Sequence, residues 1–180
     1  MSTQDIADAL QRARTVFERR PDRGLHDDST ATASWQGGLR VVTRHPDGTS
    51  LSSDMPAEFG GSGDRITPGW PFRAGLAACA ATSIAMVAAA EGVELSTLEV
   101  RVGSRSDARG SLGMSEADGR RVDAVPRDMQ LQVRIAARGV CAERLRSVVE
   151  EGYRCSPCPA AVIQAVPIAL VIEAVEPVDA

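Results

Sequence analysis

Apolar positions Ile6, Leu10, Ala13, Val16 and Phe17 recur at helical spacing with charges between them. That pattern predicts an amphipathic helix over residues 4–20, closed by Pro21. Residues 21–30 are polar and read as a linker, so residues 1–30 form an arm ahead of a domain at 31–180. Three short β-type runs follow at 31–36, 39–44 and 49–53. Gly37-Gly38 and Pro46-Asp47-Gly48 supply the turns between them, which predicts a β-meander. Residues 54–66 are a Gly-rich loop. From Thr67 to Gly92 the chain is apolar or small all round, with no charge between Arg73 and Glu91. It reads as one buried helix, capped by Thr67, opened by Pro68 and ended by Gly92 in a left-handed conformation. Its small side chains leave room for another backbone to approach. Phe72, Leu76, Ala80, Ile84 and Val87 form one stripe.

Beyond that helix the period switches to two. Leu98, Val100 and Val102 alternate with Glu99, Arg101 and Gly103, and Met129, Leu131, Val133 and Ile135 alternate in the same way. Each run predicts a half-buried strand, with Arg101, Arg134 and Arg138 on solvated faces and a polar excursion over 105–125 between them. A short helix over 142–152 and a last strand over 166–174 complete the order βββ-α-ββ-α-β. Strands segregated from helices in this way indicate an α+β fold.

Composition narrows the function classes. The chain has 180 residues, a formal net charge of -4 and only 3% aromatics. All of its basic side chains are Arg. The mild acidity gives no basis for nucleic-acid binding, and the long apolar helix is too Ala-rich to make a good membrane span. The first twenty residues are charged and lack the apolar run of a secretory signal, so a cytoplasmic, reducing location is expected. Four cysteines in that setting are free, metal-bound or redox-active in preference to structural disulfides. His26 and His45 stand apart from any Ser or Cys nucleophile, which leaves no hydrolase triad. Gly60-Gly61-Ser62-Gly63 lacks the strand-then-helix context of a nucleotide-binding loop.

Four segments resemble the OsmC-like family of osmotically inducible and organic-hydroperoxide-resistance proteins. They are Ser53-Asp54-Met55-Pro56 with Gly60-Gly61-Ser62-Gly63, Pro68-Gly69-Trp70 through Cys79, Leu98 to Val102 followed by Ser106 to Gly110, and Ser156-Pro157-Cys158 leading to Val166-Pro167-Ile168. The resemblance spans roughly residues 31–175. It implies an intertwined homodimer in which each long helix packs on its partner and sheets from both chains wrap them. It also implies reduction of organic hydroperoxides by two thiols, in an oxidative-stress role that needs no cofactor and no metal. Cys79 takes the position of the attacking thiol, whose sulfenic acid condenses with a second cysteine before a dithiol or dithiol protein restores it. The usual place of that second cysteine falls on Ser156. Cys155 and Cys158 flank it, and Cys158-Pro159 reproduces the family's Cys-Pro pair.

The resemblance implies that the pKa of the attacking thiol is lowered by an arginine, itself held by an acid about ten residues ahead of the cysteine. Here that position is Gly69, so the activating arginine is Arg73 on the same helix, or Arg40 or Arg44 reaching across a dimer interface. Read without the family, Cys79 is also compatible with a small buried hydrophobe. Cys155-Ser-Pro-Cys158 is also compatible with a zinc ligand pair or a thioredoxin-type dithiol. Cys141, Asp54 and Asp107 read as structural, the two acids as turn residues. The alternative function is a catalytically weak dimer of the same fold that binds an apolar small molecule.

Overall fold

The structure, a computed structural model, describes residues 2–174. Helix α1 (Thr3–Arg19) opens with a reciprocal capping box. Ser2 Oγ accepts from the Asp5 amide at 3.1 Å while the Asp5 carboxylate accepts from the Ser2 amide at 2.7 Å. Strands β1 (Thr32–Trp35), β2 (Val41–Arg44) and β3 (Ser50–Ser53) form an antiparallel meander in that order, with Val42 facing Ser34 and Ser52.

Helix α2 (Gly69–Ala90) is the element around which the others pack. Pro68, not Thr67, is its cap residue, and the Thr67 carbonyl accepts from the Trp70 amide, so the predicted side-chain cap does not form. Its other end closes as the sequence predicts. Gly92, at φ 69°, donates to the Ala89 carbonyl while Val93 donates to Ala88, a Schellman closure that only a residue without Cβ enters freely. α2 is not buried all round. Leu76, Ala80, Ile84, Ala88 and Ala89 are buried, whereas Trp70, Phe72 and Met86 stay exposed in the single chain. By length and mean hydropathy it would also suffice to cross a membrane. Instead it lies against α1, β4, α4 and α5.

β4 (Leu95–Arg105) and β5 (Arg127–Ala137) pair antiparallel, with Leu98 opposite Ile135, Val100 opposite Val133 and Val102 opposite Leu131. Those residues form the inner face, and Glu99, Arg101, Gln132 and Arg134 the solvated one. A short helix α3 (Ala108–Ser111), capped by Asp107, interrupts the polar excursion between the strands. α4 (Ala142–Arg154) buries Leu145 and Val148 against Ile84, Ala88 and Val93. The backbones of α2 and α4 meet at Gly152, where a Cβ would stand 2.5 Å from the Ile84 Cα. Small residues do permit close approach here, but the one that matters most sits on α4.

The C-terminal region departs further from the sequence pattern. Pro157–Ile163 is a helix, α5, in a stretch to which the sequence pattern assigns no element. The final strand over 166–174 does not form: these residues pair with no strand among the described residues and lie open to solvent, Ile168 at 95% and Leu170 at 83% exposure. Cys141, expected to be structural, caps α4 in an exposed position.

Candidate active site

Three backbone devices bring Cys79 to a common point with residues 77 and 79 positions later. α2 carries Cys79 half-buried between Leu76 and Ala80. α4 ends at Arg154, and the chain turns through Ser156 in an extended conformation before Pro157 starts α5. Proline suits this first helical position because it has no N–H to satisfy there. The corner therefore faces α2 with Ser156, which is fully buried, and with the first free amide of α5, that of Cys158.

Both aim at one sulfur. Ser156 Oγ donates to Cys79 Sγ at 3.3 Å, and the Cys158 amide donates to it at 3.4 Å. The Cys158 thiol also donates to it. Burial raises the pKa of Cys79, but these three donors together outweigh it and bring the thiol below its ordinary value. Burial pushes Cys158 up, and its contact with Cys79 pushes it further in the same direction. One contact thus shifts two like groups in opposite directions, Cys79 down and Cys158 up. Cys158 is solvent-exposed.

Cys155 lies elsewhere. It caps α4, donates to Glu151 Oε1 at 3.5 Å, and is raised by burial and then by that carboxylate. It lines a cleft of about 290 Å³ between α1 and α2 with Leu10, Phe17 and Met86. Nearer to Cys79, an apolar cavity of about 180 Å³ is lined by Leu76, Val102, Leu131, Pro159, Val162 and Ile163. Leu76 stands one helical turn before Cys79 and Pro159 directly follows Cys158, so the cavity lies close to the corner where the two cysteines meet.

Among the described residues no arginine donates to Cys79. Arg40 is engaged by Asp54, Asp64 and the Ser62 hydroxyl, the last at 2.7 Å. Arg44 is exposed at the end of β2. Arg73 is half-buried on α2, with Nη1 3.3 Å from where a Cβ on Gly69 would stand. An acid at Gly69 would meet it; glycine cannot.

The Arg40 partner is a group that sequence reading undervalued. Asp54 is an anchor rather than a turn residue, only 3% exposed. The Ser62 hydroxyl, chiefly, holds its carboxyl down to about 2 against burial, helped by the amides of Met55 and Ser62 and by Arg40. That network ties the meander to the loop before α2. Asp107 does act as a turn residue, capping α3 and pairing with Arg109. No group of three His, Cys, Asp or Glu side chains among the described residues converges to hold a metal ion.

The sequence model of the family described as OsmC-like protein matches residues 61–171. Among solved structures the chain is similar to an OsmC-like protein from Mycoplasma pneumoniae, at 15% identity and a TM-score of 0.63, covering 79% of this chain and 91% of that one. It is similar to an organic hydroperoxide resistance protein OsmC from Legionella pneumophila at 23% identity and 0.52, covering 76% and 91%. It is also similar to an organic hydroperoxide resistance protein from Elizabethkingia anophelis at 19% identity and 0.51, covering 77% and 91%. At these identities the likeness establishes a shared fold. No curated protein matches the sequence.

Proposed function

The chain belongs to the OsmC-like protein family, and from that premise we propose that it reduces organic hydroperoxides with a pair of thiols. The observation that carries this reading is the meeting of Cys79 and Cys158, one thiol lowered in pKa and the other raised, close to an apolar cavity. The Cys79 thiolate attacks the distal peroxide oxygen, the O–O bond breaks, and the alkoxide leaves to be protonated as the alcohol. Cys79 is now a sulfenic acid. The Cys158 thiol attacks it, a disulfide forms, and water departs. An external dithiol then reduces that disulfide by exchange, attacking the exposed Cys158 side and becoming oxidised itself. The aliphatic lining favours an organic tail over hydrogen peroxide, because apolar surface leaves water on binding. Cys155, tied to Glu151 in another cleft, is a spectator to these steps.

The working unit in this proposal is a homodimer. The aliphatic run 166–172 lies open, α2 keeps Trp70, Phe72 and Met86 exposed, and the meander meets little of the rest of the chain. A second copy covers all three. Arg44, which has no ion pair within the described chain, is then the arginine placed to serve a partner's site.

The test is consumption of cumene hydroperoxide with a dithiol. Wild type should turn over, and Cys79→Ser should not. Cys158→Ser should accumulate a sulfenic acid that dimedone labels, while Cys155→Ser should behave as wild type. Equal rates for wild type and Cys79→Ser would sink the proposal. The absence of a guanidinium at Cys79 within the chain favours a second reading, an apolar small-molecule binder with little turnover. That reading predicts ligand binding that Cys79→Ser leaves intact.

A further inference from the structure

We infer that Ser156 is the residue that holds Cys79 in its ionised form, its buried hydroxyl standing where a guanidinium would otherwise be needed. The inference deepens the thiol-peroxidase reading and depends on it for its catalytic meaning.

A serine at the start of a helix ordinarily accepts a hydrogen bond from the second or third helical amide. Ser156 occupies that cap position in α5 and makes no such bond. The amide it would have taken, that of Cys158, points at Cys79 Sγ instead. The hydroxyl points there too, at 3.3 Å. Two groups that would satisfy each other in an ordinary cap are both turned onto a third atom. Pro157 sharpens this, since it removes the only amide that precedes Cys158 in the helix.

The burial of Ser156 makes the arrangement consequential. It is fully enclosed, and its hydroxyl hydrogen has one acceptor, the Cys79 sulfur. A neutral thiol is a weak acceptor, and a thiolate is a strong one. A buried hydroxyl left without a good acceptor carries a desolvation penalty, so the site is completed when Cys79 loses its proton. Cys158 on α5 is the titratable group that bears on Cys79. Asp28, on the linker after α1, bears on Cys158 rather than on Cys79. Among the described residues no charged side chain of α1, α2, α4 or β4 bears on Cys79, so the hydroxyl is not duplicated by a nearby cation.

In the reaction Ser156 touches the reacting sulfur directly. It stabilises the thiolate before attack, and its hydrogen remains available to the sulfenic oxygen afterwards. No proton or electron leaves Ser156 at any step.

The experiment uses the full-length protein with Cys141→Ser and Cys155→Ser, so that Cys79 and Cys158 remain. Thiolate absorbance at 240 nm and the rate of alkylation by iodoacetamide are followed against pH, with Cys158→Ser as the control that assigns the lower midpoint to Cys79. Ser156→Ala should move that midpoint upward by about one pH unit, roughly a tenfold loss of thiolate at neutral pH, in line with a charge-assisted hydrogen bond. Ser156→Thr, which keeps the hydroxyl, should restore most of it. Denaturation of Ser156→Ala with and without Cys79→Ala guards against a packing defect. The penalty of losing the hydroxyl should shrink when Cys79 is absent, and it should grow with pH only when Cys79 is present. A well-folded Ser156→Ala protein with the wild-type midpoint would overturn the inference. If the midpoint moves but wild type consumes no hydroperoxide, the peroxidase reading fails and Ser156 still ionises Cys79.

Discussion

α2 and the run Val166–Ile172 are both apolar in sequence and opposite in fate. On α2, Ala80 and Ile84 are sealed from solvent by α4, α5 and the β4–β5 hairpin, whereas Ile168, Leu170 and Val171 are almost fully exposed. Hydrophobicity is a property of a residue, but burial needs a partner surface. α2 meets four elements of its own chain; the C-terminal run pairs with no strand among the described residues and is tied to α5 through the Val166 amide, which donates to the Ala161 carbonyl. Unpaired strand-forming sequence is a template for another chain. The contrast therefore divides the apolar surface this polypeptide buries by itself from the apolar surface it leaves open.

The sharpest way to break that contrast is to damage the self-sufficient half. Ile84→Ala removes a fully buried side chain that packs on Val148 and Ala88. It should cost about 2–5 kcal/mol in urea unfolding, at any protein concentration. Gly152→Ala should come next. Its Cβ would press into the Ile84 backbone rather than into a side chain that can swing away. A loss of about 1–3 kcal/mol is expected from this overpacking, and an unchanged midpoint would mean that the two helices slide apart freely.

Leu170→Asp probes the other side. In dilute, unassociated protein it should change unfolding by less than about 0.5 kcal/mol, as a substitution at an exposed site does. In sedimentation velocity wild type should sediment as the proposed dimer, and this substitution should abolish that association. A variant that associates as well as wild type would mean that the exposed run is not the contact.

The smallest effect concerns the tie between the meander and α2. The Asp54 carboxyl is held down to about 2, below the usual carboxylate value near 3.9. A lowered value stabilises the fold fully above the unfolded value and loses that contribution as pH falls toward about 2. Thermal midpoints should thus drop between about pH 4 and pH 2 in wild type, and less so in Asp54→Asn. Parallel curves for the two proteins would remove Asp54 from the account of acid stability.

Much of the fold was legible because its signals are local. The 3.6 period of α1, the two-residue period of β4 and β5, and the turn glycines between β1, β2 and β3 each act over a few residues. α5 was not legible, because its seven residues include Pro157 and Pro159 and span too little chain to show a period. The strand expected after Val166 failed for a different reason. Its composition is strand-like, but a strand needs a neighbour to hydrogen-bond, and none is supplied by the described chain. Asp54 was misread because sequence reveals that a carboxylate follows a strand, not that Ser62, Met55 and Arg40 enclose it.

The candidate site divides along the same line. The sequence by itself determined that a helix of small residues carries one thiol, that two more flank Ser156, and that no acid stands at Gly69. It favoured Cys158 over Cys155 only through the Cys158-Pro159 pair, because three residues of separation do not say which way each side chain faces. The turn from α4 into α5 decided that, sending Cys155 toward Glu151 and Cys158 toward Cys79. Nor could it reveal Ser156 as a donor, since a hydroxyl acquires that role only when a distant sulfur is its sole acceptor. Local patterning writes the elements into the chain, while the energetics of a buried polar contact exist only after packing has excluded water from both ends of it.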